Sequence, residues 1–423
     1  MNFAPILYIV YLSLCAAFLP YFLLLLAASL AALFAARRNG APRPAGTSRA
    51  RPRSCFLVAI PAHDEEPGIT AAVLSCRALN YPPELFQVLV IADNCTDRTA
   101  DLALAAGARV IERADRARRG KGYAIEYLIK HLRSSGEFDT LDAVVVVDAD
   151  TTVDPELLHV FARELASGQD WVQSYDCVGN PHQSWRTRLI TYAFSLINGV
   201  TLLGLNALGL SAGLRGNGMC LSIRGLRRVP WNSHGLTEDL EYSWSVRIAG
   251  GHIAFARDAV VYATMLGQGG GALANQRRRW ESGRRELRWK ALVPLLRTPH
   301  LGWFAKAVSL IELTMPTAVG LISIYSLLSL LAIACLTDIL ARGSSVLMGL
   351  VGLLHSVATL GLAVHLVSPF LSGLLPWRFS LSLVHFPRFA LWKLMVSLRG
   401  RPHEWARTPH EETRPRLDRE PAN

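Results

Sequence analysis

The sequence predicts an α/β fold held between membrane-spanning helices, and three observations predict it. Short apolar strands alternate with helical stretches through the middle of the chain, long runs without a charge lie towards both ends, and acid-rich clusters sit where the central strands stop. The 423 residues carry 44 Lys+Arg against 33 Asp+Glu, a formal charge of +11, yet only 18% are charged and 51% are hydrophobic. That balance excludes a disordered or collagen-like chain. The apolar excess is localised in the ends.

Residues 5–36 contain no charged side chain. The run exceeds the ~20 residues needed to cross a bilayer as a helix and is too long for the apolar core of a signal peptide, so a retained anchor is expected. Arg37, Arg38, Arg43, Arg49, Arg51 and Arg53 come next among Gly, Pro, Ala and Ser. They read as a flexible basic linker, and the positive-inside rule places the middle of the chain in the cytoplasm. Runs 316–336 and 346–367 read as a membrane hairpin whose connection holds Asp338 and Arg342; Arg378, Arg388, Lys393, Arg399 and Arg401 lie beyond it. Three spans with the N-terminus outside satisfy these cues. His355 and His365, inside the last span, read as helix-packing groups rather than a proton relay.

Two stretches mix aromatic, aliphatic and cationic residues: 284–306, with Trp289 and Trp303, and 389–398, with Trp392 and Lys393. They suit helices lying on a bilayer surface or amphipathic helices packed on the domain. The expected organisation is an N-terminal span over 1–36, a basic linker over 37–54, the α/β domain over 55–283, an interfacial region over 284–315, the hairpin over 316–367, and an interfacial helix with a cytoplasmic tail over 368–423. Cys15, Cys55, Cys76, Cys95, Cys177, Cys220 and Cys335 are scattered, without C-x-x-C spacing or a Cys/His cluster. Neither a disulfide framework nor a zinc site is expected, and a reducing compartment is.

Within the domain, apolar strands are expected over 55–60, 86–92 and 142–147, with helices over 67–79, 98–106 and 121–132. Fully apolar strands alternating with helices argue a buried parallel sheet. Ligands collect at the carboxyl ends of such strands, and there the chain places Ala62-His63-Asp64-Glu65-Glu66, Asp93-Asn94-Cys95-Thr96-Asp97 and Asp148-Ala149-Asp150. Asp97 and Asp154 read as helix caps. Asp148 and Asp150 read differently, because alternating carboxylates after a four-valine strand repel each other unless a cation sits between them. Oxygen ligands completed by water and phosphate suit Mg²⁺ or Mn²⁺.

Downstream stand Thr237-Glu238-Asp239 and, after Gly269-Gly270-Gly271, Gln276-Arg277-Arg278-Arg279-Trp280. The latter offers cations for a diphosphate and an indole face for a sugar. D-x-D, T-E-D and Q-x-x-R-W in this order resemble the family 2 glycosyltransferases of GT-A fold, in the membrane-integrated branch that includes cellulose, hyaluronan and poly-N-acetylglucosamine synthases. The resemblance covers about residues 56–280 and the order of the flanking membrane segments.

The resemblance implies roles. Ala62, Glu65 and Asp93 would surround the nucleotide base and ribose, with Lys121 of Arg119-Gly120-Lys121-Gly122 near the nucleotide. Asp148 and Asp150 would bracket the metal on the donor diphosphate, whose charge offsets that of the departing nucleotide. Asp239 would be the general base, Gln276 and Arg279 would hold the pyrophosphate, and Glu238 and Trp280 would meet the acceptor. One base without a second nucleophilic carboxylate implies a single displacement, so an α-linked donor gives a β-linked product.

The uncharged run 189–214 separates Asp150 from Asp239. A crossing there would put metal ligands and base on opposite sides of the membrane, so the run is expected to pack inside or against the domain. Two departures stand out. Gly216-Asn217-Gly218-Met219-Cys220 replaces the F-F-C-G-S-like acceptor segment of the best-known synthases, and three spans are few for a polymer channel, which leaves processivity open. Trp405-Ala406-Arg407-Thr408 resembles a W-x-[KR]-T segment near the end of such enzymes.

The expected function is inverting, metal-dependent transfer from a nucleotide sugar, taken as UDP-linked, to a polysaccharide or glycolipid at the cytoplasmic face of the cell's inner membrane. The alternative is a non-catalytic membrane scaffold or sugar-binding subunit with the same fold, against which intact Asp148, Asp150, Asp239 and Arg279 argue. A small channel is disfavoured by the long α/β middle. Nucleic-acid binding is disfavoured because the basic residues cluster beside membrane segments, where anionic lipid accounts for them.

Overall fold

The structure, a computed structural model, describes residues 4–39, 53–267, 271–342 and 345–398. Its helices are α1 (Ala4–Asn39), α2 (Ile69–Arg77), α3 (Thr99–Ala105), α4 (Lys121–Ser134), α5 (Leu157–Ala166), α6 (Trp185–Phe194), α7 (Leu202–Ala207), α8 (Ile223–Arg228), α9 (Glu238–Ile248), α10 (Gly271–Arg297), α11 (Trp303–Thr314), α12 (Ala318–Arg342), α13 (Ser345–Leu371) and α14 (Phe386–Leu398). The strands are β1 (Phe56–Ala62), β2 (Phe86–Asp93), β3 (Arg109–Arg113), β4 (Ala143–Val146), β5 (Thr151–Val153), β6 (Trp171–Val178), β7 (Met219–Ser222) and β8 (Ile253–Ala263).

These strands form one sheet in the order β3-β2-β1-β4-β7-β6-β8-β5. Its first half is parallel, as the apolar strands predict: β1 pairs with β2 and β4, and β2 with β3. The second half is mixed, which corrects the expectation of a purely parallel sheet. β7 runs antiparallel to both β4 and β6, β8 runs parallel to β6, and β5 runs antiparallel to β8. A short strand entered from the functional edge can only run against its neighbours, and β7 is such a strand: Met219 pairs with Val146, so Gly216 to Gly218 lie at the edge where β4 ends.

One face of the sheet is covered by α2, α3 and α5 through a core that includes Val58, Ile69, Val73, Val145 and Phe161. The other is covered by α4, α8 and α9 through Leu57, Ile125, Leu128, Val144, Trp171 and Tyr242. Both faces being buried explains why β1 and β4 are apolar throughout rather than alternating.

Helices α1, α12 and α13 pack as a bundle around Tyr11, Phe22, Leu328, Cys335 and Val351. Among the described residues, four helices are long and apolar enough to cross a membrane: Pro5–Arg38, Trp185–Ala207, Ala318–Ala341 and Val346–Leu371. The second differs from the rest, with 67% of its most apolar window buried inside the protein against 22% for each of the others. It is a continuous rod of α6, a π-helical segment (Ser195–Thr201) and α7.

This rod lies between sheet and bundle. Val200, Leu202 and Leu203 pack with Tyr175 and Phe255 of the sheet and with Ala32 of α1, and Tyr192 and Leu196 pack with Phe370 of α13. Gly204 is needed where the backbones meet, since a Cβ there would overlap the Ala28 carbonyl oxygen. At ~1.5 Å per residue, the 36 residues of α1 exceed a ~30 Å hydrocarbon core. Its last turns, Ala28 to Ala36, accordingly run beside the α/β domain.

The stretch 284–306 is divided, falling on the end of α10, residues 298–302 and the start of α11. Trp289, Trp303 and Phe304 are all exposed. Residues 389–398 lie within α14, which Lys393 ties to Glu281 of α10 at 3.3 Å. The Trp405 to Thr408 segment, and most of the basic linker, lie outside the described residues.

Candidate active site

The site is the edge where β1, β2, β4 and β6 end and β7 begins. Two turns there adopt left-handed backbone conformations on non-glycine residues, Asp64 (φ 54°) after β1 and Asn94 (φ 55°) after β2. Asp and Asn tolerate this conformation because their short side chains bond locally. Asp64 Oδ1 accepts from Thr96 N (2.6 Å), and Asn94 Nδ2 donates to Asp93 Oδ1 (2.8 Å).

Asp93 is buried, and Arg113 Nη1 donates to its Oδ1 at 2.5 Å. Burial raises the Asp93 pKa, opposed by Arg113 and by the Gly120 N–H. Arg113 also bonds Asp115 (3.2 Å) and the Arg118 carbonyl (2.6 Å), so Asp93 organises the loop leading into α4. Gly120, at φ 119°, enters that helix in a conformation that favours glycine. Ala62 is buried at the end of β1, with its carbonyl facing the Cys95 thiol at 3.5 Å, and Glu65 N is held by Thr99 Oγ1 at 2.8 Å.

Lys121, the first residue of α4, reaches across the edge. Its Nζ donates to Asp148 Oδ1 and to the Gly216 carbonyl, the latter at 2.6 Å. Burial works against its charge, but Asp148, Glu238 and Asp239 outweigh burial and raise its pKa. Asp239 also borders Gly216, where a Cβ would meet Asp239 Oδ2 at 3.3 Å. Glu238 and Asp239 open α9, and desolvation raises the pKa of both carboxyls. Asp150 lies against the start of α2, where a Cβ on Gly68 would meet Ala149 O at 3.1 Å and Asp150 Cα at 3.5 Å. The structure therefore brings Asp93, Lys121, Asp148, Asp150, Glu238 and Asp239, from four loops, to one edge.

Beneath the D-x-D turn lies a clamp that sequence reasoning missed. Asn217 is buried; its Oδ1 accepts from Asp148 N (3.1 Å), and its Nδ2 donates to Thr151 Oγ1 and Asp176 Oδ1 (both 3.0 Å). Its carbonyl accepts from Gln173 Nε2 at 2.7 Å. Burial first, and then the Asp148 charge, hold the Asp176 carboxyl well above the usual carboxylate range. The signal in the sequence is Gly216-Asn217-Gly218, a polar residue between two glycines, which by itself marks only a departure from the better-known synthases.

On α10, Arg279 and Trp280 precede Gly283 by four and three residues and so share its face. That face lands on the T-E-D segment, since a Cβ on Gly283 would come within 2.6 Å of Thr237 Oγ1. The Gln276 side chain lies outside the described residues.

Asp148 and Asp150 are the residues that would hold a divalent cation at this edge: both of their charges act on Asp176, with Lys121 opposing them, and a cation between the two D-x-D carboxylates would offset their repulsion. Among the described residues, the group with the tightest converging ligand atoms is a different one: Asp64, Cys95 and Asp97. Its carboxylates already accept from Thr96 N, Glu66 N (3.1 Å) and Thr99 N (3.0 Å). Burial pushes the Cys95 thiol up to about 11, and its Sγ faces the Ala62 carbonyl and the Asp64 N–H. This cluster builds the turns. Asp97 and Asp154, expected as helix caps, are not the capping residues: the N-caps are Arg98 and Glu156, and the two carboxylates instead close the preceding turns by accepting from Thr99 N and Glu156 N.

An α/β sheet of this topology with acids at its strand ends has the architecture of the GT-A transferases. The chain belongs to the glycosyltransferase like family 2, which it matches over residues 52–283. Among curated relatives, it is 28% identical over 239 residues to a beta-monoglucosyldiacylglycerol synthase of Nostoc (53% of this chain, 48% of that one). It is 26% identical over 290 residues to the Synechocystis protein of the same name (63% and 56%). A low-salt glycan biosynthesis hexosyltransferase, Agl6, of Haloferax volcanii is 33% identical over 111 residues (26% and 24%). The chain thus spans about half or less of the length of these relatives. A solved mannosyltransferase of Pyrobaculum calidifontis, in complex with GDP-Man and Mn²⁺, superposes with a TM-score of 0.48 at 18% identity, covering 88% of this chain and 99% of that one.

Proposed function

We propose that the protein is an inverting glycosyltransferase that moves a sugar from a UDP-linked donor to a membrane glycolipid or glycan acceptor, with its α/β domain on the cytoplasmic side of the inner membrane. The observation that supports the reading is the Lys121 ammonium, which bonds Asp148 of the D-x-D turn and the Gly216 carbonyl and feels the Glu238 and Asp239 charges of the T-E-D helix. In this reading Asp148 and Asp150 hold Mg²⁺ or Mn²⁺, which supplies positive charge against the departing diphosphate. Ala62, Glu65 and the Asp93–Arg113 pair shape the nucleotide end, while Arg279 and the Gln276 position on α10 face the pyrophosphate. Asp239 takes the proton from the acceptor hydroxyl as it attacks the anomeric carbon, and Glu238 and Trp280 border the acceptor.

A desolvated carboxyl suits the base. Its raised pKa brings proton affinity closer to that of a reacting hydroxyl, while the Lys121 and Arg215 charges keep it from rising further. The membrane side is supported by Arg37 and Arg38 in the last turn of α1, by the exposed tryptophans of α10 and α11, and by the lipid products named for two relatives. The partly buried rod 185–207 is read as apolar structure under the domain rather than a fourth span.

The test is to incubate membranes containing the protein with labelled UDP- and GDP-sugars, with and without chelator. Metal-dependent label from a UDP-sugar in lipid or glycan is the expected result. Label only from a GDP-sugar would overturn the donor assignment, and unchanged transfer in chelator would overturn the metal.

A further inference from the structure

The segment between α8 and α9 leads into the candidate base and is fastened to α4 at three successive points. Trp231 Nε1 donates to the Gly122 carbonyl at 3.0 Å. Gly122 has no room for a side chain, since a Cβ there would overlap the Ser233 carbonyl oxygen. The His234 ring then lies flat on Tyr123, with centroids 4.2 Å apart and planes 15° from parallel. Its Nε2 is 3.2 Å from Glu126 Oε2, and Glu126, paired with Lys130 at 2.7 Å, fixes the orientation of the ring. The backbone of His234 is tied to α9: Glu241 Oε2 accepts from the N–H of His234 (3.1 Å) and of Gly235 (2.9 Å). Glu241 N in turn bonds the Thr237 carbonyl at 3.0 Å, closing the turn that contains Glu238 and Asp239.

Tyr123 also faces the nucleotide end. The Arg113 guanidinium carbon is 5.9 Å from the Tyr123 ring centroid, within reach of a cation–π contact, and the same guanidinium holds Asp93 at 2.5 Å. Side chains in contact thus run Asp93, Arg113, Tyr123, His234, Glu241, from the end of β2 to the first turn of α9. Asp93 and Arg113 are buried, whereas Tyr123 and His234 are half-buried. A stack of two half-buried rings can form or part, which gives the chain of contacts two arrangements that either end can bias.

We infer that His234 is a positioning residue that passes occupancy of the nucleotide end at Asp93 to the turn that holds Asp239. The inference rests on the transferase reading above. A nucleotide base that engages the Asp93–Arg113 pair fixes the guanidinium, which fixes Tyr123 and, through the stack, His234. Glu241 carries that order to the turn with Asp239. The candidate base is therefore held in place while donor is bound and loosens once the nucleotide has left. His234 itself takes no part in the bond changes.

The experiment is hydrogen exchange of the backbone amides of residues 234–241 in the full-length protein in detergent, with and without UDP and Mn²⁺. Wild type should exchange at least about fivefold more slowly with the nucleotide, the scale of an ordinary coupling between two sites. His234→Ala should lose most of that slowing while UDP affinity stays within about twofold, and His234→Phe, which keeps the stack, should retain it. In a transfer assay, His234→Ala should lower kcat at least about tenfold, as a misplaced catalytic group does, with the donor KM within about twofold. Wild-type exchange that ignores bound UDP would overturn the coupling. So would a His234→Ala protein that responds to UDP as wild type does, or one that loses UDP affinity in parallel, which would make His234 part of the nucleotide pocket. A ligand-free comparison separates this inference from the transferase reading: Arg113→Met should speed exchange at 234–241 about threefold in wild type and add little in His234→Ala. If UDP does not bind, the donor assignment falls and this comparison decides the coupling, which independent, additive effects would overturn. If His234→Ala does not fold, His234→Gln, polar but without a ring, takes its place.

Discussion

Lys121 and Asp148 form an ion pair across the functional edge, and the same ammonium holds the Gly216 carbonyl at 2.6 Å. The pair joins the start of α4 to the turn after β4. It also places one positive charge among Asp148, Glu238 and Asp239, which makes it a regulator of proton affinity as well as a strut.

Replacing Lys121 should therefore move a pH profile. As the proposed base, Asp239 would act only when ionised, and its folded pKa is raised, so the rate should fall as pH drops through a value above the ordinary carboxylate range. The Lys121 charge lowers that pKa. Lys121→Met should shift the acid limb of kcat/KM to higher pH, by about one unit for ~1.4 kcal/mol of lost interaction. A profile that loses amplitude without moving would mean Lys121 acts only as a strut.

Asn217→Ala removes the side-chain bonds to Asp148, Thr151 and Asp176 that support the D-x-D turn from beneath. Asp148 N and the Asp176 carboxyl would each lose a buried partner, at roughly 1–3 kcal/mol for an unsatisfied group. We expect a lower unfolding temperature and a lower apparent metal affinity, read as the metal concentration needed for half-maximal nucleotide binding. Unchanged metal dependence with reduced stability would make the clamp a core feature only.

Gly204→Val should loosen the α/β domain from the membrane bundle, because its Cβ would overlap the Ala28 carbonyl. Overpacking of this kind costs roughly 1–3 kcal/mol. Thermal unfolding in detergent should begin earlier, with nucleotide affinity retained, since the rod packs on β6 and β8 whereas the proposed nucleotide end lies at β1 and β2 in the other half of the sheet. Concerted loss of nucleotide binding would show that the rod 185–207 and the site unfold as one unit.

Periodicity and local chemistry made part of this fold legible in the sequence. The all-apolar strands β1, β2 and β4 and the acids at their ends fall where expected, because burial on both faces leaves an unmistakable run of Val, Ile and Leu. A topological argument keeps the uncharged run 189–214 with the domain; in the structure its Val200, Leu202 and Leu203 pack with Tyr175 of the sheet and Ala32 of α1. The direction of β7 is not legible, since four residues carry no signal of their pairing. Nor are the partners that depend on long-range contact: Arg113 on Asp93, Asn217 under Asp148, and Arg215 beside Asp239. A lone Arg or Asn looks like surface until the fold buries it.

Asp239→Asn tests the central claim most directly, because it keeps the side-chain shape and removes the ionisable group. The account predicts that sugar transfer falls by at least about two orders of magnitude, the scale of general base catalysis, while metal-dependent nucleotide binding stays within about twofold of wild type. Turnover equal to wild type would contradict it.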